Sequence, residues 1–179
     1  GGTDGGTTDG GATDGGTTDG GTDGGTTDGA EVSDIIDMTG SFGGAALAGS
    51  SYSFPSGSEV WAGFANLNTD VYPFTFASAG SITFTASADV DTSIYFRFER
   101  LPHPDVEPSF NLDPVLISGA EQEYTVTVPA QDAANTYESF LMYVVDQDQA
   151  VTVKNIVVAH DGGTTGVPVE ADYVEPTSA

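Results

Sequence analysis

The sequence predicts an all-β fold, namely a two-sheet antiparallel β-sandwich of jelly-roll type preceded by a disordered Gly/Thr/Asp-rich linker. Residues 1–29 contain only Gly, Thr, Asp and one Ala, and a stretch without core-forming residues does not offset its own ordering entropy. Beyond Ala30, apolar and polar residues alternate in one short segment after another, which is the period of a half-buried strand. Gly, Ser and Pro separate these segments, and no apolar stripe at helical spacing exceeds two turns.

About ten segments carry a strand pattern. Five of them alternate aromatic or β-branched residues with polar ones, two are short apolar runs, one carries the only Trp, and two longer apolar runs close the series. In chain order, the predicted strands are 35–39, 51–54, 60–64, 71–76, 81–86, 93–99, 115–118, 123–128, 140–145 and 150–159. The segment 131–138 has room for one short helical turn. Strands in this number without long helices favour two packed sheets.

The chain divides into three parts by composition. Residues 1–29 are predicted to be a disordered linker, residues 30–160 the β-sandwich, and residues 161–179 a C-terminal linker or tail that begins with the linker composition again. About 150 residues remain beyond the first linker, which is the usual size of one domain and enough to bury a core. Because the chain begins with Gly1 rather than Met, we expect a fragment or a mature chain that has lost a targeting segment.

The chain is strongly acidic, with 27 Asp and Glu against three Lys and Arg and a net charge of −24. A surface of this charge repels nucleic acid and anionic lipid. It also disfavours sulfated or uronate polysaccharides, unless the few cations are concentrated at the site. The alternative interpretation is that the charge serves solubility alone, as is common in saline surroundings. No Cys is present, which excludes disulfides and thiol chemistry, and no apolar run is long enough for a membrane span. We therefore expect neither a nucleic-acid partner nor membrane insertion.

The outward side of the predicted strand 93–99 carries an unusual set of residues. Its Ile and Phe residues are expected to face the core, so Tyr95, Arg97 and Glu99 face the other way. An ordinary solvent-facing surface needs only Ser and Thr. An Arg–carboxylate pair fixes a planar fork that can donate to sugar hydroxyls. The alternative is a structural salt bridge between strands.

Trp61 and His103 are further candidates for ligand contact. Alternation places Trp61 on the side opposite Val60 and Ala62, so it faces outward if these neighbours face the core. An exposed aromatic ring is a rigid platform for the apolar face of a sugar; the alternative is a buried core Trp. The segment 100–114 contains four Pro and carries His103. A stiff loop of this kind could wall a binding site, or it could only connect the two sheets.

No catalytic pattern stands out. The motif of retaining sandwich glucanases, two Glu flanking an Asp on one strand, is absent, and neither His lies near a nucleophile elbow. There is no phosphate-binding loop, His-rich metal motif or EF-hand loop. The chain is therefore not predicted to be an enzyme, and a small glycan-cleaving enzyme is the least favoured alternative. The predicted ligand-binding residues are Trp61, Tyr95, Arg97, Glu99 and His103.

Three stretches resemble a carbohydrate-binding module of the kind appended to marine bacterial laminarinase-like endo-β-1,3-glucanases. They are WAGFANLNTDVYPFTF (61–76), SITFTASADVDTSIYFRFERLPHPDVEPSF (81–110) and YTVTVPAQDAANTYESFLMYVVDQDQAVTVKNIVV (124–158). The resemblance implies a non-catalytic jelly roll that binds sugar on a concave face or an edge, often with one structural calcium ion. Oxygen ligands near the first and last strands could hold such an ion, although no spacing of carboxylates singles them out.

The resemblance also implies a function and a location. It implies a secreted, extracellular or cell-surface protein of a marine-type bacterium, in which the module targets a covalently attached glycoside hydrolase to a neutral β-glucan, with a laminarin-like β-1,3-glucan favoured. The expected partner is then a neutral polysaccharide or oligosaccharide. The alternative from another class is a structural or adhesive β-sandwich domain of a secreted or cell-surface protein, without a small ligand.

Overall fold

The computed structural model describes residues 31–162. The predicted linker 1–29 and the predicted tail beyond residue 162 lie outside the described residues. The described part contains ten strands and one 3₁₀ helix, Thr69–Val71. The strands are β1 Val32–Ile35, β2 Gly40–Phe42, β3 Ala46–Ala48, β4 Ser51–Ser53, β5 Gly63–Ala65, β6 Gly80–Glu99, β7 Phe110–Asn111, β8 Val115–Val128, β9 Ser139–Val144 and β10 Ala150–His160. They confirm the predicted all-β fold, a two-sheet antiparallel β-sandwich.

Strand β6 belongs to both sheets, because its two halves have different partners. The second half pairs with β9, which is followed by β5 and β2, and we call this layer the site sheet. The first half pairs with β10, which is followed by β4 and β3, and we call this layer the opposite sheet. Along the other edge of β6, strand β8 pairs with both halves and β7 pairs with the second half. Strand β1 pairs with β10.

The inner faces of the two sheets form one aromatic core. Strand β6 alternates buried and part-buried side chains along nearly all of its length, as expected when every second residue faces inward. Phe84 in its first half and Phe96 in its second half contact each other, with ring centroids 5.4 Å apart. Tyr52 of β4 and Phe64 of β5 contact in the same way at 4.8 Å. The two halves of β6 therefore face each other, and each sheet has one outer face.

Two pairs of predicted strands are in fact single long strands. The segments predicted at 81–86 and 93–99 join in β6, and those predicted at 115–118 and 123–128 join in β8. The join in β6 includes Asp89, Val90 and Asp91, which are exposed and have the composition of a turn in the sequence. The backbone nevertheless stays extended there, and the register against β8 shifts on both sides of Ala88. These irregularities accompany the passage of β6 from one sheet to the other.

The predicted strand at 71–76 is wrong. The segment begins in the 3₁₀ helix Thr69–Val71 and continues as irregular backbone. Pro73 has no N–H group with which to extend a ladder. The aromatic alternation still reports burial correctly, because Phe74 and Phe76 are fully buried. Phe74 makes one isolated bridge, to Tyr137.

The predicted strand at 60–64 starts later than expected. Strand β5 begins at Gly63, and Trp61 lies in the preceding turn, where the N–H of Ala62 donates to the carbonyl of Glu59 at 2.9 Å. Val60 is 94% exposed and Ala62 is buried, so the condition that both neighbours of Trp61 face the core is met only by Ala62. A turn does not follow the period of a strand, and the orientation of Trp61 is therefore set by tertiary contacts.

Candidate functional site

The outer face of the site sheet brings the outward residues of β6 against those of β9. The antiparallel register places Tyr95 opposite Tyr143, and Glu99 opposite Ser139. Arg97 lies between these two rows, opposite Leu141. The three residues that the alternation predicted to point outward on β6 are thus all on one face, and their neighbours on β9 belong to the same surface.

Four aromatic rings follow one another across this face. Tyr95 stacks on Tyr143 at a centroid distance of 4.9 Å, and Tyr143 and Phe42 make a T-shaped contact at a centroid distance of 6.2 Å. Phe42 lies parallel to Trp61, with 7° between the ring planes and 6.3 Å between the centroids. We call Trp61, Phe42, Tyr143 and Tyr95 the aromatic row. It crosses from the turn before β5, over β2 and β9, to β6.

Gly63 makes room for the middle of the aromatic row. A Cβ atom at this position would lie 2.7 Å from the ring of Tyr143 and 2.9 Å from that of Phe42. Contacts this short do not occur in folded proteins, so any other residue at position 63 would displace one of the rings. The small residue in β5 therefore sets the spacing of the two rings on either side of it.

Trp61 is unusually accessible for a large aromatic side chain. It is 57% exposed, although Trp is highly buried on average in folded proteins. The sequence left open whether Trp61 is exposed or buried in the core, and in the structure its ring is exposed. Contact of this ring with a ligand stays a prediction.

A cavity of about 690 Å³ opens beside the aromatic row. Nine residues line it: Phe42, Trp61, Ala65, Glu99, Pro102, His103, Ser139, Leu141 and Tyr143. Three of the five predicted site residues, Trp61, Glu99 and His103, are among them. Tyr95 and Arg97 do not line the cavity, but each contacts a residue that does.

Arg97 is bound to three side chains. Its Nε donates to Glu99 Oε1, its Nη1 to Asn111 Oδ1 and its Nη2 to Asp105 Oδ2, each at 2.9 Å. The side chain is 24% exposed. Three of the five N–H groups of the guanidinium are thereby used within the protein. The ion pairs join Arg97 to its own strand and to the following loop, and not to a neighbouring strand as in the alternative that the sequence left open.

Glu99 and Tyr143 provide polar groups on the cavity wall. Glu99 accepts hydrogen bonds from Arg97 and, through Oε2, from Ser139 Oγ at 3.1 Å. Burial raises the pKa of Tyr143 to about 12, and the negative charge of Glu99 acts in the same direction. The phenol of Tyr143 therefore keeps its proton at neutral pH and can donate a hydrogen bond.

Neither a metal site nor a membrane segment emerges from the described residues. Within residues 31–162, no group of three or more His, Asp or Glu side chains is placed to hold a metal ion. The structural calcium ion implied by the resemblance stays a prediction. No helix in this part of the chain is long and apolar enough to cross a membrane.

The chain is similar to solved carbohydrate-binding modules at low sequence identity. A family 29 carbohydrate-binding module from Piromyces equi is 11% identical, with 73% of this chain and 91% of that chain covered and a TM-score of 0.49. The CBM22-1 xylan-binding domain of Xyn10C from Paenibacillus barcinonensis is 12% identical, with 73% and 85% covered and a TM-score of 0.42. A structure described as "CBM4 structure and function" is 15% identical, with 70% and 77% covered and a TM-score of 0.43. The sequence matches no protein-family model and no curated protein. These values assign neither a family nor a ligand to the chain.

Several cavity residues were not singled out by the sequence. They are Phe42, Ala65, Pro102, Ser139, Leu141 and Tyr143. Tyr143 lies in the apolar run 140–145, where no alternation distinguishes an outward ring from the core residues beside it. Phe42 lies in a strand of three residues, which is too short to show a period. The pairing of β2, β5, β9 and β6 places both rings on the outer face of the site sheet, and this pairing is not visible in the local sequence.

Proposed function

We propose that this domain binds a neutral polysaccharide without cleaving it, on the outer face of the site sheet. The observation that carries the proposal is the exposed Trp61 ring, which continues as the aromatic row beside a cavity of about 690 Å³. The apolar faces of sugar rings pack on aromatic rings, and such side chains lose little conformational entropy on binding. Tyr143, Ser139 and Glu99 supply hydrogen-bonding groups for sugar hydroxyls at the same cavity.

The charge of the site supports a neutral ligand. The chain has three Lys and Arg residues. Arg97 is paired with Glu99 and Asp105, and Lys154 is paired with Glu121. The Nε of Arg100 donates to the carbonyl of Thr136. The cavity lining contains Glu99 and neither Lys nor Arg, so a sulfate or a uronate would meet a carboxylate of the same sign there.

The carboxylates of the cavity support binding rather than cleavage. Among residues 31–162, Glu99 is the one carboxylate that lines the cavity. Glycoside hydrolysis in its common form needs two carboxyl groups on opposite sides of the scissile bond. Glu99 is in addition held by Arg97 and Ser139. The lining of this cavity therefore offers no second carboxyl group for such a pair.

We further propose a laminarin-like β-1,3-glucan as the favoured ligand and a covalently attached glycoside hydrolase as the neighbouring module. The support is the resemblance of the sequence to modules of laminarinase-like enzymes. In a secreted or cell-surface protein, weak binding by one module raises the effective concentration of the attached enzyme at its polysaccharide. Calcium, if bound, has a structural role in this proposal and does not contact the ligand.

Affinity electrophoresis with a panel of polysaccharides tests the proposal. We expect retardation in gels that contain laminarin or mixed-linkage β-glucan, and unchanged mobility with alginate. The Trp61→Ala variant serves as the control and should run alike in all gels. Retardation by alginate alone would contradict a neutral ligand. Failure to bind any polysaccharide would favour the structural or adhesive alternative, and release of reducing ends by the isolated domain would favour an enzyme.

A further inference from the structure

The loop between β6 and β7 forms one wall of the cavity. We call residues 101–109 the wall loop. Pro102 and His103 line the cavity, whereas residues 101–104 are all exposed to solvent. A loop segment this exposed is at the low end of local stability. Hydrogen bonds and ion pairs of the wall loop therefore help to hold its position.

Those contacts converge on Asp105. Its Oδ2 accepts from Arg97 Nη2 at 2.9 Å, and its Oδ1 accepts from Ser109 Oγ at 2.7 Å and from the N–H of Val106 at 2.6 Å. The carboxylate is 18% exposed. One side chain thus connects the middle of the wall loop both to the loop's own C-terminal end and to strand β6.

Ser109 extends this connection to the other end of the loop. Its Oγ accepts from the N–H of Arg100 at 3.0 Å, which immediately precedes the wall loop. The two ends of the loop are therefore joined at the same hydroxyl that donates to Asp105. Arg97 in turn is fixed by Glu99 and Asn111 on the outer face of the sheet.

The surroundings of Asp105 favour its ionised form. Partial burial acts to raise the pKa of Asp105, but the hydrogen bonds from Ser109 and Val106 and the charge of Arg97 outweigh it, and the pKa lies below the ordinary 3.8. The carboxylate is therefore charged at neutral pH, when its bonds to the guanidinium are strongest.

We infer that Asp105 is a positioning residue for the proposed glycan site, which holds the wall loop against the sheet through Arg97 and does not touch the ligand. The inference rests on the proposed function, and it changes the role of Arg97. The sequence suggested that Arg97 donates to sugar hydroxyls, whereas the geometry makes it the anchor of the wall that carries His103. Asp105 itself is not among the residues that line the cavity.

The rate of limited proteolysis measures how readily the wall loop opens, and it requires no glycan. Trypsin cleaves after Lys and Arg, of which the chain has three. Arg97 lies inside β6 and Lys154 inside β10, whereas the bond after Arg100 is the first of the wall loop. We expect the Asp105→Asn variant to be cut after Arg100 about tenfold faster than the wild type, because a charge-assisted hydrogen bond is lost. The control is Asp91→Asn, an exposed Asp of β6 outside the wall loop, which should leave the cleavage rate unchanged.

Glycan affinity gives the second readout. With laminarin as the probe, Asp105→Asn should bind several-fold more weakly while its melting temperature falls by only a few degrees, so that the variant stays folded during the titration, and Asp105→Glu should recover part of the loss. Arg97→Ala and the double variant with Asp105→Asn should have equal affinities, because Asp105 acts through Arg97. Additive losses would show that the two residues contact the ligand independently, which overturns the inference.

The outcomes separate this inference from the proposed function. If the wild type binds laminarin and Asp105→Asn changes neither the cleavage rate nor the affinity, the positioning role is wrong and the glycan site stands. If the wild type binds no polysaccharide, the proposed function fails, while the cleavage rate still reports whether Asp105 holds the loop. If Asp105→Asn does not fold, Ser109→Ala replaces it. That variant removes the hydrogen bonds of the Ser109 hydroxyl with Asp105 and with the N–H of Arg100 but keeps the ion pair between Asp105 and Arg97, and it should likewise accelerate cleavage.

Discussion

The two outer faces of the sandwich differ along a single strand. In its first half, β6 turns Thr83 and Thr85 outward on the opposite sheet, and in its second half it turns Tyr95, Arg97 and Glu99 outward on the site sheet. The inner residues of both halves follow the same alternation into the same core. Folding therefore needs nothing beyond small hydroxyl side chains on the outside of β6. The aromatic and charged residues of the site sheet exceed that need, which is why we propose that the ligand binds to this face.

The ion pairs of the two faces differ in the same way. On the opposite sheet, Lys154 and Glu121 are 3.0 Å apart with side chains 46% and 47% exposed, and such surface pairs contribute little to stability. On the site sheet, Arg97 is shared by two carboxylates that are less exposed and are themselves hydrogen-bonded. Charge on the first face is solvated, whereas charge on the second is organised around a cavity.

Of all the substitutions on the two outer faces, removal of the exposed Trp61 ring should weaken ligand binding the most. We expect Trp61→Ala to weaken laminarin binding about 30-fold or more, since a central aromatic anchor contributes about 2 kcal/mol or more. The free energy of unfolding should fall by less than about 1 kcal/mol because the ring is exposed. Calorimetric titration and chemical denaturation measure the two quantities, with Val60→Ala as the matched control. An unchanged affinity together with a stability loss of roughly 3–5 kcal/mol would place the ring in the core.

Tyr143→Phe tests the polar part of the site sheet. Loss of a hydrogen bond from the phenol to the ligand should weaken binding about threefold to tenfold. The folded protein holds this proton up to about pH 12, whereas an unfolded Tyr releases it near 10. Stability should therefore fall as the pH rises from about 10 to 12, and the variant should lose less. An ultraviolet titration that shows no phenol ionising near 12 in the wild type would contradict this environment.

Acid should lower the free energy of unfolding through protonation of Asp105 in the wall loop beside the site sheet. Because its folded pKa lies below the ordinary 3.8, its contribution to stability is present above that value and is lost as the pH falls through the lower, folded pKa. At pH 7 the wild type should exceed Asp105→Asn by about 1 kcal/mol in free energy of unfolding. This difference should shrink in strongly acidic solution. A difference that is the same at pH 7 and pH 2 would show that the charge of Asp105 is not the cause.

Substitutions on the opposite sheet should have the smallest effect. Thr83 and Thr125 face each other across β6 and β8. Replacement of either by Ala should change the free energy of unfolding by no more than about 0.5 kcal/mol and leave laminarin affinity unchanged. If one of them weakens binding as strongly as Trp61→Ala, the distinction between the two outer faces is wrong.

The sequence predicted the parts of the fold that depend on local alternation. The inner and outer sides of 93–99 follow from the period of a strand, and they give the orientation of Tyr95, Arg97 and Glu99 directly. The continuity of β6 through Asp89–Asp91 was not visible, since an exposed acidic segment has the composition of a turn. The strand predicted at 71–76 failed because burial of alternate Phe residues does not require a sheet partner.

The site could be predicted only in part, for a related reason. Phe42 and Tyr143 become neighbours of Trp61 through the pairing of β2, β5 and β9, which are far apart in the chain. Trp61 itself lies in a turn, where no period applies. The partners of Arg97 come from the wall loop and β7 as well as from β6. Such non-local contacts decide between a ligand-binding and a structural guanidinium, and the local sequence does not contain them.

The fluorescence of Trp61 tests the central claim most directly, because the chain contains a single Trp. In the free protein the emission should be red-shifted and readily quenched by acrylamide, as expected for a ring that is 57% exposed. Saturating laminarin oligosaccharide should shift the emission to shorter wavelength and protect it from the quencher. Emission and quenching that stay the same with laminarin, mixed-linkage β-glucan and agarose oligosaccharides would contradict a glycan site on the outer face of the site sheet.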